Sequence, residues 1–185
     1  MGTAALEKKN KHTYADYEKL PEGSPYQLIG GELVMTPAPT PYHQIITGNI
    51  FFELMKFVKA QGAGTVLNSP IDVYLAETEG FQPDVIFIAQ ERLSIIGQKK
   101  IEAAPDLVVE VLSPSTAYYD LRHKMRLYES SGVREYWIVD PEEKSIEVYE
   151  NAGGEFKLFN KAREKGVAAS KLLPGFEVGL DVVFS

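Results

Sequence analysis

The stretch Leu107-Val108-Val109-Glu110-Val111-Leu112 decides how this chain is read. Apolar and β-branched on either side of one acid, and broken at Ser113-Pro114-Ser115, it makes a buried strand. Side chains alternate along a strand, so Glu110 must share a face with Val108 and Leu112. Burying even a neutral polar group without a partner costs on the order of 2–7 kcal/mol, and Glu110 therefore demands one. A bound cation is one answer; a buried ion pair with an arginine or lysine is the other.

Downstream, Ala117 to Ser130 reads as a helix with Leu121, Met125 and Tyr128 on its inner stripe, closed near Gly132. Glu135–Val139, Ser145–Tyr149 and Glu155–Phe159 follow as a meander of hairpins, and Val178–Phe184 reads as an edge strand. Upstream, Thr65–Leu67, Ile71–Leu75 and Asp84–Ile88 join Leu107–Leu112 in a central sheet. Ile46, Ile50, Leu54 and Phe57 recur at helical spacing from Tyr42 to about Ala60. Gly30-Gly31 turns a hairpin between Tyr26–Ile29 and Glu32–Met35, and Thr13 caps a short helix through Leu20. Residues 1–12 read as a flexible polar tail and 13–185 as a single α/β domain.

Bulk properties narrow the chemistry. At 185 residues with 44% hydrophobic and 24% charged side chains the chain suits one globular core. No apolar run reaches the roughly 20 residues of a membrane span, and the first residues do not resemble a secretory signal, so a cytoplasmic location is expected. The absence of cysteine excludes thiolate metal sites and cysteine nucleophiles, which leaves carboxylates and 3 histidines as metal ligands. A net charge of -7 argues against a uniformly basic nucleic-acid coat, while Arg122, Lys124, Arg126 and Arg134 permit a local basic patch.

Asp84 follows Pro83 and opens a strand, which projects its carboxylate at a sheet end; it is either a turn aspartate or, with Glu110, half of a metal site. Lys124 lies on the flank of the inner helical stripe and should lean toward the sheet, whereas Arg122 and Arg126 lie opposite. Its plainer reading is a surface pair with Asp120 one turn earlier. His43 stands at the start of the long helix, where capping and cleft-facing roles compete. Glu32 is a weaker candidate, and Trp137, Tyr136, Tyr118 and Tyr119 read as core aromatics rather than a base-stacking platform.

Several ordered motifs carry a resemblance. Pro83-Asp84, the run from Pro105 through Glu110 to Ser115, Asp120 with Lys124 and Tyr128, and Gly132 through Tyr136-Trp137-Ile138-Val139-Asp140-Pro141 resemble the Uma-type putative restriction endonuclease family. The hairpin Tyr26 to Met35 and His43-Gln44 resemble it too. The resemblance implies the PD-(D/E)XK nuclease superfamily: a restriction-endonuclease-like mixed β-sheet flanked by helices, with an N-terminal hairpin and a C-terminal β-meander. In that superfamily a lysine usually stands two residues after the strand acid, but Leu112 occupies that position here, and Lys124 on the following helix is implied instead.

What the resemblance implies for function is a magnesium-dependent endonuclease acting on DNA as a homodimer, with manganese as an alternative ion. Asp84, Glu110 and the Val111 carbonyl would hold the ion, and Asp84, Glu110, Lys124 and His43 would form the catalytic set. Two other readings stand beside it: a binding or regulatory module on a nuclease fold without efficient turnover, and a hydrolase of another phosphodiester such as RNA. No protein partner other than a second copy is identifiable, and no membrane is expected.

Overall fold

A computed structural model describes residues 11–21, 23–113 and 123–185. In chain order its elements are α1 (Tyr14–Tyr17), β1 (Tyr26–Ile29), β2 (Glu32–Met35), α2 (Pro41–Gln61), β3 (Gly64–Asn68), β4 (Val73–Ala76), β5 (Glu79–Phe81) and β6 (Val85–Ala89). A 3-10 helix at Gln90–Ile95 leads to β7 (Leu107–Val111), α3 (Met125–Ser131), β8 (Glu135–Asp140), β9 (Ser145–Asn151) and β10 (Phe156–Arg163). The chain closes with β11 (Val167–Ala169), β12 (Glu177–Gly179) and α4 (Leu180–Val183).

The main sheet has 6 strands in the order β10-β9-β8-β7-β6-β3. Only β7 and β8 run parallel, with Glu110 opposite Ile138; the other neighbours are antiparallel, so the sheet is mixed. A parallel step needs a crossover, and α3 lies within it. One face carries Val85, Phe87, Leu107, Val109, Trp137 and Val148 against Ile46, Ile50, Leu54 and Val58 of α2. Those four recur every fourth residue, which is why α2 buries one stripe. Thr40 caps that helix by accepting the His43 amide, and Pro41 occupies its first turn, where a missing N–H costs nothing. The opposite face carries Ile86, Ile88, Val108, Tyr136 and Ile138 against Tyr128 of α3 and Ile29, Val73 and Phe81 of a second sheet.

That second sheet, of 4 strands in the order β2-β1-β5-β4, corrects one expectation. The Ile71–Leu75 segment does not enter the central sheet; its strand pairs Val73 with Phe81. The partner β5 is only Glu79-Gly80-Phe81, and its glycine is required by packing, since a Cβ there would lie 2.7 Å from the Tyr14 ring. The hairpin at Gly30-Gly31 is as expected, with both glycines at positive φ (58° and 81°) as a two-residue turn demands.

The C-terminal expectation also changes. Instead of an edge strand over Val178–Phe184, β12 pairs with β11 in a separate ribbon and the chain then turns into α4. Leu180 and Val183 of α4 bury on the α2 side, a three-residue spacing that fits a helical turn and not a strand. The first short helix ends at Tyr17 rather than Leu20. Of the helix expected from Ala117, the part with Tyr118, Tyr119, Asp120, Leu121 and Arg122 lies outside the described residues; so do residues 1–10 of the tail. Among the described residues no helix is long and apolar enough to cross a membrane.

Candidate functional site

β6 and β7 pair with Val85 opposite Val109, so extending the register by one residue sets Asp84 against Glu110 at the C-terminal end of β7. Asp84 is anchored there through both its backbone and its side chain. Its carbonyl accepts the Ser69 amide at 3.0 Å, and Oδ2 accepts the Val111 amide at 2.7 Å. Oδ1 receives no hydrogen bond among the described residues, and the side chain is 13% exposed. One oxygen is thus committed to holding the rotamer, and the other has no hydrogen bond among the described residues.

His43 arrives from the first turn of α2. Its Nε2 lies 3.0 Å from the Val111 carbonyl and 3.4 Å from Asp84 Oδ2, and its Nδ1 lies 3.5 Å from the Thr47 hydroxyl one helical turn on. A carbonyl only accepts, so Nε2 carries the proton and points it between two oxygens. Burial lowers the affinity of this imidazole for a second proton. The Asp84 hydrogen bond and charge, the Val111 carbonyl and the Glu110 charge together outweigh burial and raise its pKa above the ordinary 6.5.

Glu110 stands at the same strand end and is 3% exposed. Lys124 Nζ stands 2.9 Å from both of its oxygens and the Tyr128 hydroxyl donates to Oε1 at 2.7 Å. Lys124 and Tyr128 are one turn apart on the helix, so one face delivers both donors. The ammonium also sits 5.7 Å from the centre of the Phe81 ring, and that ring packs edge-on to Tyr128. Lys124 is 4% exposed, which rules out the plain surface-pair reading; Asp120 lies outside the described residues.

The structure therefore brings Asp84, Glu110, Lys124, His43 and Val111 to one strand end. Of the two answers open for the burial of Glu110, the described residues supply the ion pair, with the Lys124 ammonium on both oxygens. The Val111 carbonyl likewise already accepts a proton from His43. Arg126 is exposed on the outer face of α3, while Glu32 is exposed on β2. Tyr136 and Trp137 are core, at 0% and 1% exposure.

Among the described residues no three His, Asp or Glu side chains cluster as a metal cage. A magnesium site does not need one, because this ion keeps most of its waters and takes one or two carboxylates. Asp84 Oδ1 is a hard donor with no hydrogen-bond partner among the described residues, and the Val111 carbonyl and Glu110 are the donors beside it; this set fits the ion's chemistry. Tyr128 is the residue that sequence reasoning misses, because its place on the inner stripe assigns it to packing alone. Its signal is the i, i+4 spacing from Lys124.

The comparisons with known proteins agree with this architecture. The family model Uma2, described as "Putative restriction endonuclease", matches residues 14–182. The chain is 27% identical over 129 residues, 69% of its length and 72% of the relative's, to the uncharacterized protein sll1609 of Synechocystis sp.. A crystal structure of a putative nuclease belonging to DUF820 from Anabaena variabilis superposes with a TM-score of 0.77 at 20% identity, over 93% of this chain and 97% of that one. At that identity the superposition speaks for the shared fold.

Proposed function

The chain belongs to the Uma2 family of putative restriction endonucleases, and from that premise we propose that it is a magnesium-dependent endonuclease hydrolysing DNA phosphodiester bonds at the end of β7. The observation that carries this reading is Asp84: anchored through Oδ2 to the Val111 amide, with Oδ1 left over among the described residues, beside a buried lysine–glutamate pair. Asp84 Oδ1 would hold the ion, with the Val111 carbonyl and a Glu110 oxygen as further donors. Bound there, magnesium supplies Lewis acidity and lowers the pKa of a coordinated water.

The chain's own groups do the rest. Glu110 fixes the Lys124 ammonium through both carboxylate oxygens, and Lys124 neutralises negative charge developing on the scissile phosphate. A protonated lysine cannot accept a proton, so its role is electrostatic. His43 holds its Nε2 proton toward Asp84 and Val111, ordering the strand end. Two copies of the chain, each cutting one strand, are the simple route to double-strand scission, and manganese is the alternative ion.

A second reading has its own support. Both Glu110 oxygens are engaged by Lys124, which favours a nuclease-fold binding module that holds DNA without turnover, since a carboxylate occupied by an ammonium is less free to take a metal. Cleavage of supercoiled plasmid, with linear DNA and RNA as parallel substrates, separates the readings. The endonuclease reading predicts magnesium-dependent nicking abolished by EDTA and reduced at least about 10²-fold in Asp84→Asn and Lys124→Ala. Arg126→Ala, on the exposed helix face, should keep turnover. Binding without cleavage supports the module, and preferential RNA cleavage reassigns the substrate.

A further inference from the structure

The register of the main sheet links the candidate site to its far edge. Glu110 pairs with Ile138, Ile138 with Glu147, and Glu147 with Lys161, so these four side chains form one row on one face across β7, β8, β9 and β10. Arg163 lies on the same face two residues further along β10. Adjacent strands stand ~4.8 Å apart, so three steps set Lys161 about 14 Å from Glu110 between Cα atoms. Ile138 is buried, but beyond it the face opens: Tyr149 is half-buried, Leu158 is 52% exposed, and the Lys161 and Arg163 side chains are 50% and 57% exposed.

We propose that Lys161 and Arg163 form a DNA-backbone subsite, engaging phosphates of the strand whose scissile phosphate lies at Glu110; this rests on the nuclease reading above. Residues two apart on a strand are separated by about 6.8 Å, close to the spacing of successive phosphates on one nucleic-acid strand. The distance along the row then places the phosphate at Lys161 about two nucleotides from the scissile one. In the free protein Lys161 is held by the half-buried Glu147 at 2.6 Å, whose other oxygen accepts the Tyr149 hydroxyl, and Arg163 by the exposed Glu143. Both cations are themselves at least half exposed, and ion pairs of exposed side chains contribute little to the fold, so a phosphate can take Arg163 from Glu143 at small cost and can share Lys161 with Glu147, which stays bonded to Tyr149. The net charge of -7 makes such a local cationic row the kind of feature an acidic protein needs to hold a polyanion.

Lys157 supplies the matched control. It belongs to the same strand but pairs with Glu150, on the opposite side of the pleat, and the bulge between Leu158 and Asn160 lies between it and Lys161. Binding of a fluorescein-labelled DNA duplex of two helical turns is read by anisotropy in EDTA, from about 50 to about 200 mM salt. The expected result is that Lys161→Ala with Arg163→Ala weakens binding roughly 10-fold or more and lowers the salt slope by about 2, at ~0.9 for each phosphate no longer neutralised. Lys157→Ala should change neither. Glu147→Gln, which frees Lys161, should tighten binding, and Glu150→Gln across the pleat should not; a purely structural Lys161–Glu147 pair predicts no tightening.

Equal effects from both faces, no effect from the double variant, or no duplex binding by the wild type at the lowest salt overturns the subsite. Plasmid cleavage with magnesium is measured alongside. Binding through this face without cleavage sinks the hydrolase reading and leaves the subsite standing. Cleavage that is indifferent to Lys161 and Arg163 does the reverse.

Discussion

The two ends of the parallel pair β7–β8 both bury carboxylates, and they do so in opposite ways. At the entering end, Asp106 and Glu135 are each 0% exposed and fully supplied with donors. Asp106 takes the Ala89 amide at 2.9 Å and pairs with Arg92 at 2.9 Å and Arg134 at 3.4 Å. Among the described residues Glu135 has neutral donors: Trp137 Nε1 at 2.8 Å, the Ser170 hydroxyl at 2.7 Å, and the Lys171 and Leu172 amides at 2.7 and 2.8 Å. At the leaving end, Asp84 keeps one oxygen in reserve, and Glu110 is matched by a lysine on a helix. Burial alone therefore does not mark chemistry; an acid with spare coordinating capacity does. The leaving end is also where open α/β sheets gather ligands, outside the carboxyl ends of their strands.

The largest test of this contrast is Glu135→Ala. It orphans an indole N–H, a hydroxyl and two amides at once, and a loss on the order of 3–5 kcal/mol in urea unfolding is expected, with no rescue by magnesium. A loss below about 1 kcal/mol would mean that the entering end is not the rigid anchor described.

At the leaving end the losses should be smaller and metal-dependent. Lys124→Ala removes the ammonium that holds both Glu110 oxygens and should cost about 3 kcal/mol without metal. Magnesium, replacing the missing positive charge, should recover part of that loss; at 100 times its Kd a ligand returns about 2.7 kcal/mol. The same pairing decides the outcome of Glu110→Gln. As a bare carboxylate, Glu110 would be relieved by neutralisation, leaving the fold as stable or more so. Paired with Lys124, its neutralisation weakens a buried ion pair made through both oxygens, and destabilisation is expected in thermal melts.

The smallest effect concerns His43. Its pKa is raised in the fold, so the stabilisation it brings is fully present below the unfolded value near 6.5 and is lost as pH rises through the folded value. In Asp84→Asn the main raising influence is removed, and the His43 pKa should fall, as read by NMR titration of its ring protons. An unchanged titration would detach His43 from Asp84.

What was legible in the sequence follows from range. Glu110 betrays itself because it breaks an apolar run, and the inward lean of Lys124 is visible on a helical wheel. Glu135 opens its strand after Arg134 and looks like an ordinary boundary residue, because its donors at Ser170, Lys171 and Leu172 are far along the chain. Asp106 is hidden for the same reason: Arg92 comes from the 3-10 helix after β6. The second sheet escapes a sequence reading because β5 is three residues long and contains Gly80, too little for any periodicity to register. Nor could the sequence show that α3 sends a tyrosine hydroxyl, as well as an ammonium, to the same carboxylate.

The central claim is that a divalent ion is held at Asp84, and crystals soaked in manganese test it most directly. The expected anomalous peak lies about 2.0–2.2 Å from Asp84 Oδ1, with the Val111 carbonyl or a Glu110 oxygen in the same shell, and it is absent in Asp84→Asn. Full manganese occupancy elsewhere on the chain, with Lys124 still bridging both Glu110 oxygens and no density at Asp84, would contradict it.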